Sequence, residues 1–340
     1  MLHLLYIWLQ FLALAVVIAL AGFHLCREGD RIGVKLGLTG SWVGLAMLAT
    51  VTSLPELVTG VISVSTANVP NIALGDALGS CVINLVFLVL LDFLNRGEPI
   101  FTRVSQGHIL SAGFGVVLIG FIGINIVVGN SHAGAAPFKL AHVGLYSPLI
   151  LLFYIIAMRT LFIYENTQAT AALEAANQAE SIDLPRALRR FGFAAAAVVA
   201  AGCWLPFVGS ELAEVMGWNR SFVGTLFIAA VTSMPELAIT VFALRMGSVD
   251  MAIGNLLGSN LFNIAIVAID DLVYTRGPLL ANISPVHAAT ALSAVIMTGL
   301  AIIGLLYRPR GLVLRSVGWV SIGLAVLYLF NTYIVFIYGE

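Results

Sequence analysis

The segment 51–57 reads VTSLPEL, and the segment 231–237 reads VTSMPEL. Both copies place a proline and a glutamate deep inside apolar stretches that are long enough to cross a membrane. Proline removes a backbone N–H donor and clashes with the carbonyl four residues earlier, so each copy predicts a break in its helix just before Pro55 or Pro235. Such a break is tolerated at membrane depth only where the backbone is buried in protein or lines a polar cavity. The motif pair therefore predicts a polar site inside a membrane protein.

The composition also indicates a membrane protein. Of the 340 residues, 60% are hydrophobic and only 10% are charged, and the mean hydropathy is +1.02. Soluble domains carry about 25% charged residues. The 16 Lys and Arg residues are balanced by 17 Asp and Glu, so no basic surface is available for phosphates and we expect no nucleic-acid partner. The three cysteines lack metal-ligand spacing and predict neither a disulfide framework nor a zinc site.

Ten apolar stretches reach the length of about 20 residues that a transmembrane helix needs. They are 4–26, 36–60, 71–94, 105–128, 143–163, 188–209, 217–245, 250–273, 284–306 and 313–338. The predicted fold class is therefore an all-α integral membrane protein with ten transmembrane helices.

Lysine and arginine are distributed unevenly between the predicted loops. With the N-terminus outside, the inside loops carry thirteen of these residues and the outside loops carry three, Lys139, Arg220 and Arg276. Because basic loops stay on the cytoplasmic side, we expect both termini to be outside the cytoplasmic membrane. The polar segment 164–187 then lies in the cytoplasm, either as a solvated helical connector or as a regulatory segment.

The two motif copies belong to a longer internal repeat with an offset of 179 to 180 residues. A second motif, GDALGSCVIN at 75–84, returns as GNLLGSNLFN at 254–263. Six further pairs keep this register: Gly37 and Gly217, Gly44 and Gly224, Asp92 and Asp271, Pro99 and Pro278, Ser105 and Ser284, and His108 and His287. Because each copy contains five predicted helices, an odd number, the second copy crosses the membrane in the opposite sense. Secondary transporters have such inverted repeats, with ion sites near the membrane midplane.

Glu56 and Glu236 are the main acidic groups inside the predicted spans. A carboxylate in the bilayer interior costs several kcal/mol unless it is paired, and no lysine or arginine lies deep enough to pair with either one. The compensating charge is therefore a bound cation or a proton. Freed carbonyls around 49–53 and 229–233, beside hydroxyls and these carboxylates, are the oxygen ligands that Na⁺ and Ca²⁺ prefer.

The second motif adds a polar helix face in each copy. Three oxygen-bearing side chains recur at positions i, i+4 and i+8, which places them along one face. They are Asp76, Ser80 and Asn84 in the first copy and Asn255, Ser259 and Asn263 in the second. The glycines before the first two of these positions allow the face to approach a neighbouring backbone closely. Asp92, Asp270 and Asp271 lie near span ends, where we expect solvated or helix-capping side chains, with lining of an ion path as an alternative for Asp92 and Asp271.

These motifs resemble the sodium/calcium exchanger membrane region, prokaryotic type, of the calcium/cation antiporter superfamily. The resemblance covers the whole ten-helix plan, with the two alpha-repeats at 37–95 and 217–274. It implies two inverted five-helix repeats, 1–163 and 188–340, that are joined by the cytoplasmic linker 164–187. It also implies broken helices 2/3 and 7/8 around the ion sites, and first and sixth helices that slide across this core.

The resemblance also implies the ion ligands. Glu56 and Glu236 are the acidic ligands. Hydroxyl, amide and backbone oxygens come from Thr52, Ser53, Thr232, Ser233, Ser80, Ser259, Asn84 and Asn263, and from the carbonyls of Ala49 and Ala229. Asp76 stands where the family more usually has asparagine, and it adds a carboxylate that is either a ligand or a vestibule group. Cys81 likewise removes an amide, so ion number or selectivity can differ from the family.

The function that the resemblance implies is antiport, in which Na⁺ entering down its gradient expels Ca²⁺ by alternating access. The expected partners are inorganic cations and the lipid bilayer, with no cofactor. The alternative is an antiporter of the same fold that couples Ca²⁺ or another divalent cation to H⁺, for which Asp76, His108 and His287 are the motivation. The sequence has no His-Glu-x-x-His motif and no Ser-His or paired-Asp catalytic signature, so we expect no enzymatic activity. The oligomeric state and the stoichiometry stay open.

Overall fold

The computed structural model describes residues 2–35, 49–95, 100–102, 104–131, 139–166, 183–245, 247–309, 312–313 and 317–339. The helices of the first half are α1 (Leu2–Lys35), α2 (Ala49–Thr52), α3 (Leu54–Ser65), α4 (Pro70–Leu94), α5 (Gly107–Asn130) and α6 (Tyr146–Asn166). Those of the second half are α7 (Leu184–Met216), α8 (Arg220–Phe222), a π-helical segment (Val223–Ile228), α9 (Ala229–Thr232), α10 (Met234–Arg245), α11 (Val249–Val273), α12 (Val286–Tyr307) and α13 (Trp319–Tyr338). Short 3₁₀ turns occupy Ile100–Thr102 and Leu279–Ala281.

A short antiparallel hairpin precedes the last helix of each half. In the first, β1 (Lys139–Leu140) pairs with β2 (Val143–Gly144), and in the second, β3 (Leu312–Val313) pairs with β4 (Val317–Gly318). These hairpins depart from the predicted all-helical fold. Hydropathy does not reveal them, because two-residue strands within connecting segments carry no periodic pattern.

Eight described helices are long and apolar enough to cross a membrane: α1, α4, α5, α6, α7, α11, α12 and α13. The pair Arg220–Thr232 and Met234–Arg245, bent by 45°, forms a ninth candidate. The predicted span 36–60 is described only from Ala49 onward, as α2 and α3. The predicted positions Gly37, Gly44 and Pro99 and most of the linker, 167–182, lie outside the described residues. The chain is a multi-pass integral membrane protein.

Helices α1 and α7 extend well beyond the predicted spans 4–26 and 188–209, since they contain 34 and 33 residues. An ion cluster around the buried Glu28 joins the two helices. Glu28 of α1 is 3% exposed and lies 3.3 Å from Arg31 and 3.5 Å from Arg190 of α7. Glu28 and Arg31 lie in the part of α1 beyond its predicted span, whereas Arg190 lies inside the predicted span 188–209. The prediction for α1 stopped where its charged residues begin.

The two long helices α4 and α11 form the centre of the molecule, and each is one continuous helix of 25 residues. The predicted breaks in helices 3 and 8 are therefore wrong. The chain breaks instead in the helical segment that precedes each of them, between α2 and α3 before α4 and between α9 and α10 before α11. The physical reason is that the motifs at 75–84 and 254–263 contain no proline, and their glycines retain the N–H donors that an unbroken helix needs.

Close packing of α4 against the π-helical segment confirms the role predicted for its small residues. A Cβ on Gly75 would lie 3.0 Å from Gly224 Cα, and one on Gly79 would lie 2.5 Å from the carbonyl oxygen of Thr225. Any side chain at these positions would push the two backbones apart. The glycines thus hold the polar face of α4 against the second copy of the Pro-Glu motif.

Candidate cation site

The two Pro-Glu motifs break their helices in the same way. Ser53 separates α2 from α3 with φ −84° and ψ 16°, and Ser233 separates α9 from α10 with φ −80° and ψ 7°. The prolines fall in the first turn of the new helices, where a missing N–H costs no hydrogen bond. Glu56 and Glu236 follow in the same turns. The predicted breaks in these two helices are confirmed.

The breaks do not free the carbonyls of Ala49 and Ala229, contrary to the expectation from the sequence. The Ala49 oxygen accepts hydrogen bonds from Ser53 N at 3.1 Å and from Thr52 Oγ1 at 3.0 Å. The Ala229 oxygen accepts a hydrogen bond from Ser233 N at 3.1 Å and lies 3.3 Å from Thr232 Oγ1. A carbonyl oxygen has two lone pairs and a hydroxyl has one proton. The Ala49 oxygen is therefore saturated, whereas the Ala229 oxygen keeps one lone pair, because the Thr232 proton lies closer to Asp76 Oδ1, at 2.8 Å. A cation reaches the Ala49 oxygen only after the Thr52 hydroxyl turns away.

Each glutamate is held by a serine from the other motif copy. Ser53 Oγ donates to Glu236 Oε1 at 3.0 Å, and Ser233 Oγ donates to Glu56 Oε1 at 3.4 Å. Ser80 Oγ of α4 also donates to Glu56 Oε1 at 3.5 Å. The two bonds to Glu56 are long and correspondingly weak. Both glutamates are fully buried, so their carboxyl groups lie in the protein interior between α3, α4 and α10.

Asp76 is a third buried carboxyl in the same site. Its Oδ1 accepts a hydrogen bond of 2.8 Å from Thr232 Oγ1. Ser80 Oγ lies 3.5 Å from this oxygen and 3.5 Å from Glu56 Oε1, and its single proton serves one of the two carboxyls at a time. Its counterpart Asn255 instead donates Nδ2 to the backbone oxygen of Glu236 at 3.5 Å. Asp76 is thus buried and in direct contact with the predicted ligand Thr232. On the equivalent side, Thr52 Oγ1 lies 3.1 Å from Ser259 Oγ.

A pair of equivalent residues, Cys81 and Asn260, meets where α4 crosses α11. Asn260 Nδ2 donates to the Cys81 carbonyl at 3.2 Å, and Cys81 Sγ donates to the Asn260 carbonyl at 3.7 Å. Asn84 Nδ2 donates to Asn260 Oδ1 at 3.0 Å. In the repeat, Asn263 corresponds to Asn84 and Cys81 corresponds to Asn260. The amide of Asn263 therefore has no side-chain acceptor at Cys81, which carries no amide oxygen. Both polar atoms of Asn263 accordingly lack a hydrogen-bond partner in the described part of the chain.

All thirteen predicted ligand residues are buried: Glu56, Glu236, Thr52, Ser53, Thr232, Ser233, Ser80, Ser259, Asn84, Asn263, Ala49, Ala229 and Asp76. Hydrogen bonds and direct chain neighbours connect them, except Asn84 and Asn263, which lie one turn further along α4 and α11. The sequence prediction did not include Asn260 among the site residues. Its alignment with Cys81 in the internal repeat is the sequence feature that could have identified it.

Six carboxyl and amide oxygens of the site have no hydrogen-bond partner among the described residues. They are Glu56 Oε2, Asp76 Oδ2, Glu236 Oε2, Asn84 Oδ1, Asn255 Oδ1 and Asn263 Oδ1. Buried polar atoms are normally satisfied, and oxygen ligands of this kind suit hard cations. Acidic residues alone do not make a site here, since no group of three or more His, Cys, Asp or Glu side chains suited to a metal ion occurs within the described ranges. A cation would depend on hydroxyl and amide oxygens as well.

Asp92 and Asp271 are structural, and the expectation of solvated side chains at these positions is wrong. Both are buried, and each ties a central helix to the hairpin of the other half. The donors to Asp271 are Leu279 N at 2.6 Å, Tyr146 Oη at 2.7 Å, Gly144 N at 2.9 Å and Ser147 Oγ at 2.5 Å. The donors to Asp92 are Ile100 N at 3.0 Å, Gly318 N at 2.8 Å and Ser321 Oγ at 2.7 Å. Asp270 is buried too and has a different environment, described below.

His108 joins the two halves away from the carboxyl site. Its Nε2 lies 3.0 Å from Asp250 Oδ1, which also accepts a hydrogen bond of 2.7 Å from Ser105 N. In the equivalent place, Ser284 N donates to Asn71 Oδ1 at 2.7 Å. His108 therefore fixes the start of α5 against the start of α11.

Comparison with known proteins agrees with this architecture. The profile of the sodium/calcium exchanger protein family matches residues 6–168 and 188–337. Inner membrane protein YrbG of Escherichia coli K12 is 24% identical over 291 residues, which are 84% of this chain and 86% of YrbG. Sodium/calcium exchanger MaX1 of Methanosarcina acetivorans is 44% identical over 55 residues, 16% of each chain.

Solved structures share the fold. Native YfkE aligns with a TM-score of 0.63 at 18% identity, over 96% of this chain and 91% of YfkE. The sodium-calcium exchanger NCX_Mj aligns with a TM-score of 0.62 at 20% identity, over 97% of this chain and 99% of that protein. The family profile covers nearly the entire sequence, and the chain belongs to the sodium/calcium exchanger protein family of membrane transporters.

Proposed function

We propose that the chain is an antiporter that exchanges Na⁺ for Ca²⁺ by alternating access around Glu56 and Glu236. The proposal rests on the hydrogen bonds between the two motif copies, in which the serine of each copy donates to the glutamate of the other. Each glutamate has one oxygen held by the opposite serine, while its second oxygen is buried without a partner among the described residues. Two acidic oxygens supplied by different halves form a site that responds to relative movement of those halves. Similarity to proteins named sodium/calcium exchangers supports the choice of ions.

The ligand set follows from the same contacts. The two glutamates and Asp76 supply negative charge, and the neutral ligands are Thr52, Ser53, Thr232, Ser233, Ser80, Ser259, Asn84 and Asn263. The Ala229 carbonyl joins through its second lone pair, and the Ala49 carbonyl joins when the Thr52 hydroxyl turns away. Three Na⁺ neutralise three carboxylates, whereas one Ca²⁺ neutralises two of them. Ions that compete for the same oxygens are exchanged, because an empty site of several carboxylates is too costly to carry across the membrane.

The architecture of this antiporter comprises ten spans in two inverted repeats, 1–163 and 188–340, joined by the linker 164–187. The tenth span is 36–60, whose described part is α2 and α3. Reciprocal contacts between repeat-equivalent residues support the inverted arrangement. The excess of basic residues in alternate loops supports both termini outside the cytoplasmic membrane. An impermeant thiol reagent applied to intact cells should label Glu340→Cys in a cysteine-free background, and protection of that thiol would reverse the orientation.

A second candidate is an antiporter of the same fold that couples Ca²⁺ or another divalent cation to H⁺. Asp76 favours it, because a third buried carboxyl beside Glu56 adds a group that a proton neutralises. Its Oδ1 is held by Thr232 at 2.8 Å, and its Oδ2 has no partner within the described ranges.

Radioactive calcium uptake into proteoliposomes separates the two candidates. Purified protein is reconstituted with Na⁺ inside and diluted into Na⁺-free medium, and a parallel sample receives only a pH gradient. Uptake that follows the Na⁺ gradient supports the first candidate. Uptake that follows only the pH gradient supports the second candidate, and absence of both contradicts antiport of Ca²⁺. Empty liposomes supply the baseline.

A further inference from the structure

Asp270 lies on α11, seven residues beyond Asn263 and apart from the ligand set. Its side chain is 1% exposed, and neither of its carboxyl oxygens has a hydrogen-bond partner among the described residues. The other buried carboxyls described here have at least one oxygen held. The position of Asp270 near a span end predicts a solvated or capping side chain, and that prediction is wrong, because the last turn of α11 is packed inside the protein.

Gly60 of α3 makes room for this carboxyl. A Cβ on Gly60 would lie 2.6 Å from Asp270 Oδ2 and 2.8 Å from Oδ1, so the carboxyl lies directly against the backbone of α3. Glu56 precedes Gly60 by four residues and Ser63 follows it by three, which places all three on one helix face. Ser63 Oγ is also buried without a partner in the described part of the chain. A polar track therefore runs along α3 from Glu56 to Ser63, with Asp270 beside it.

The other half of the molecule has no polar counterpart of Ser63 or Asp270, although Thr240 follows Glu236 by four residues. The repeat register aligns Asp270 with Leu91, and it aligns Gly60 and Ser63 with Thr240 and Ala243. The central carboxyls and serines are duplicated in the two halves, but the extra carboxyl is not. Asp270 is thus an addition on one side of the central site rather than a copy of a central ligand.

The surroundings of Asp270 supply no compensating positive charge. Helices α3 and α4 contain no Lys, Arg or His, and the titratable groups that they turn toward α11 include the acids Glu56 and Asp76. Glu236 of α10 and the neighbouring Asp271 are acids too, and the groups on α6 nearest this end are the phenols of Tyr146 and Tyr154. Arg245 and His108 lie at the opposite end of α11, and Arg159 lies thirteen residues beyond Tyr146 on α6, about 20 Å along the helix.

An ionised carboxylate in these surroundings would be unpaired in the bilayer interior, at a cost of several kcal/mol. Na⁺ and Ca²⁺ would each need a shell of oxygen ligands, and the described contacts of Asp270 do not provide one. A proton needs no such shell, because it neutralises the carboxyl through one O–H bond. Proton binding is therefore the chemistry that fits this place.

We propose that Asp270 is a proton-binding site linked to the central cation site, an inference that rests on the antiport function proposed above. Cations that bind at Glu56 and Asp76 remove negative charge from the neighbourhood, which favours ionisation of Asp270. Loading with cations thus releases the proton as H⁺, and departure of the cations lets the carboxyl bind H⁺ again. Because only one half carries this carboxyl, the linkage is confined to one side of the central site.

Infrared difference spectra of the purified full chain, recorded with and without Ca²⁺, test the proposal directly. In the wild type, Ca²⁺ should remove a carbonyl-stretch band of a protonated carboxylic acid, and Asp270→Asn should lack that component of the difference. Asp270→Asn should still take up Ca²⁺ in proteoliposomes, with a weaker dependence on pH than the wild type. Asp270→Leu, which matches Leu91 of the other half, provides a second variant if the amide disturbs folding. The control is Asp183→Asn at the exposed start of α7, which should behave as the wild type in both assays.

An unchanged infrared difference in both Asp270 variants would overturn the proposal, because the protonated acid would then be another residue. Wild-type pH dependence of Ca²⁺ uptake in these variants would overturn it as well, since the proton would not be linked to transport. Failure of the proposed function gives a different result, namely no Ca²⁺ uptake by the wild type under either gradient.

Discussion

Ser53 Oγ donates a hydrogen bond of 3.0 Å to Glu236 Oε1, although the two residues are 183 positions apart in the chain. The equivalent bond from Ser233 to Glu56 measures 3.4 Å. Neither Pro-Glu motif therefore completes its own acidic site, because each supplies the donor to the carboxyl of the other. A movement between α3 and α10 changes the hydrogen bonding of both carboxyls together. This coupling is what a transporter needs if ion binding is to control movement of its halves.

Ser53→Ala should weaken Ca²⁺ binding more than Ser233→Ala does. The Ser53 bond is the shorter one, and a hydrogen bond to a charged group contributes about 1.5–3 kcal/mol. The Ca²⁺ concentration for half-maximal uptake should rise about tenfold or more for Ser53→Ala. Ser65→Ala, at the exposed end of α3, is the matched control and should leave that concentration unchanged. Equal concentrations for the two site variants and the wild type would contradict the assignment.

Cys81→Asn should stabilise the protein relative to Cys81→Ala. The amide oxygen supplies the acceptor that Asn263 lacks, and it makes the contact equivalent to the 3.0 Å bond between Asn84 and Asn260. One buried hydrogen bond contributes about 1 kcal/mol, so thermal unfolding in detergent should differ by about 2 °C. Unfolding of the asparagine variant at or below the temperature of the alanine variant would count against this geometry.

Gly79→Ala should destabilise the packing of α4. The added Cβ would lie 2.5 Å from the Thr225 carbonyl oxygen and 2.8 Å from Thr225 Cα, and both are backbone atoms of a buried segment. Overpacking of this kind costs about 1–3 kcal/mol, and Ca²⁺ uptake should fall because the polar face of α4 is displaced. Gly113→Ala is the control, since nothing lies within 4 Å of a Cβ at that position. A Tm that falls equally in both variants would refute the close-approach argument.

Asp271→Asn should lower stability by about 2–4 kcal/mol, because hydrogen bonds to charged groups are lost and an amide N–H would face backbone and hydroxyl donors. The wild-type carboxylate accepts four hydrogen bonds, from Leu279, Tyr146, Gly144 and Ser147. Thermal unfolding of the purified protein measures the effect. Asp183→Asn, which keeps a good acceptor at the start of α7, should unfold close to the wild type. An unaltered Tm for Asp271→Asn would show that this cluster does not hold the hairpin.

The location of the site was predictable, because proline and glutamate deep in an apolar span are costly and their duplication marks both halves. Helical spacing also predicted correctly that Ser80 and Asp76 share a face. Spacing identifies a face but does not identify the neighbour that it meets. The contact of Thr232 with Asp76 and the exchange of serines between the motif copies therefore became visible only in the folded chain.

Other features depend on tertiary contacts that hydropathy does not report. Helix α1 continues past its apolar stretch, and there Glu28 pairs with Arg31 and with Arg190 of α7. The sequence position of Asp271 at a span end predicts a solvated side chain. In the folded chain, the hairpin before α6 and the start of α6 donate hydrogen bonds to it. Asp270 gave no sequence signal, because the space that admits it is created by Gly60 on a different helix.

Calcium–calcium exchange across proteoliposome membranes tests the central claim most directly, because it requires the cation site and its movement without a coupling ion. Liposomes loaded with unlabelled Ca²⁺ are diluted into labelled Ca²⁺, and uptake is compared for the wild type, Glu56→Gln, Glu236→Gln and the surface control Glu214→Gln. If the two glutamates form one shared site, each single substitution abolishes exchange while Glu214→Gln retains it. Exchange at the wild-type rate in either Glu56→Gln or Glu236→Gln would contradict a site built from both halves.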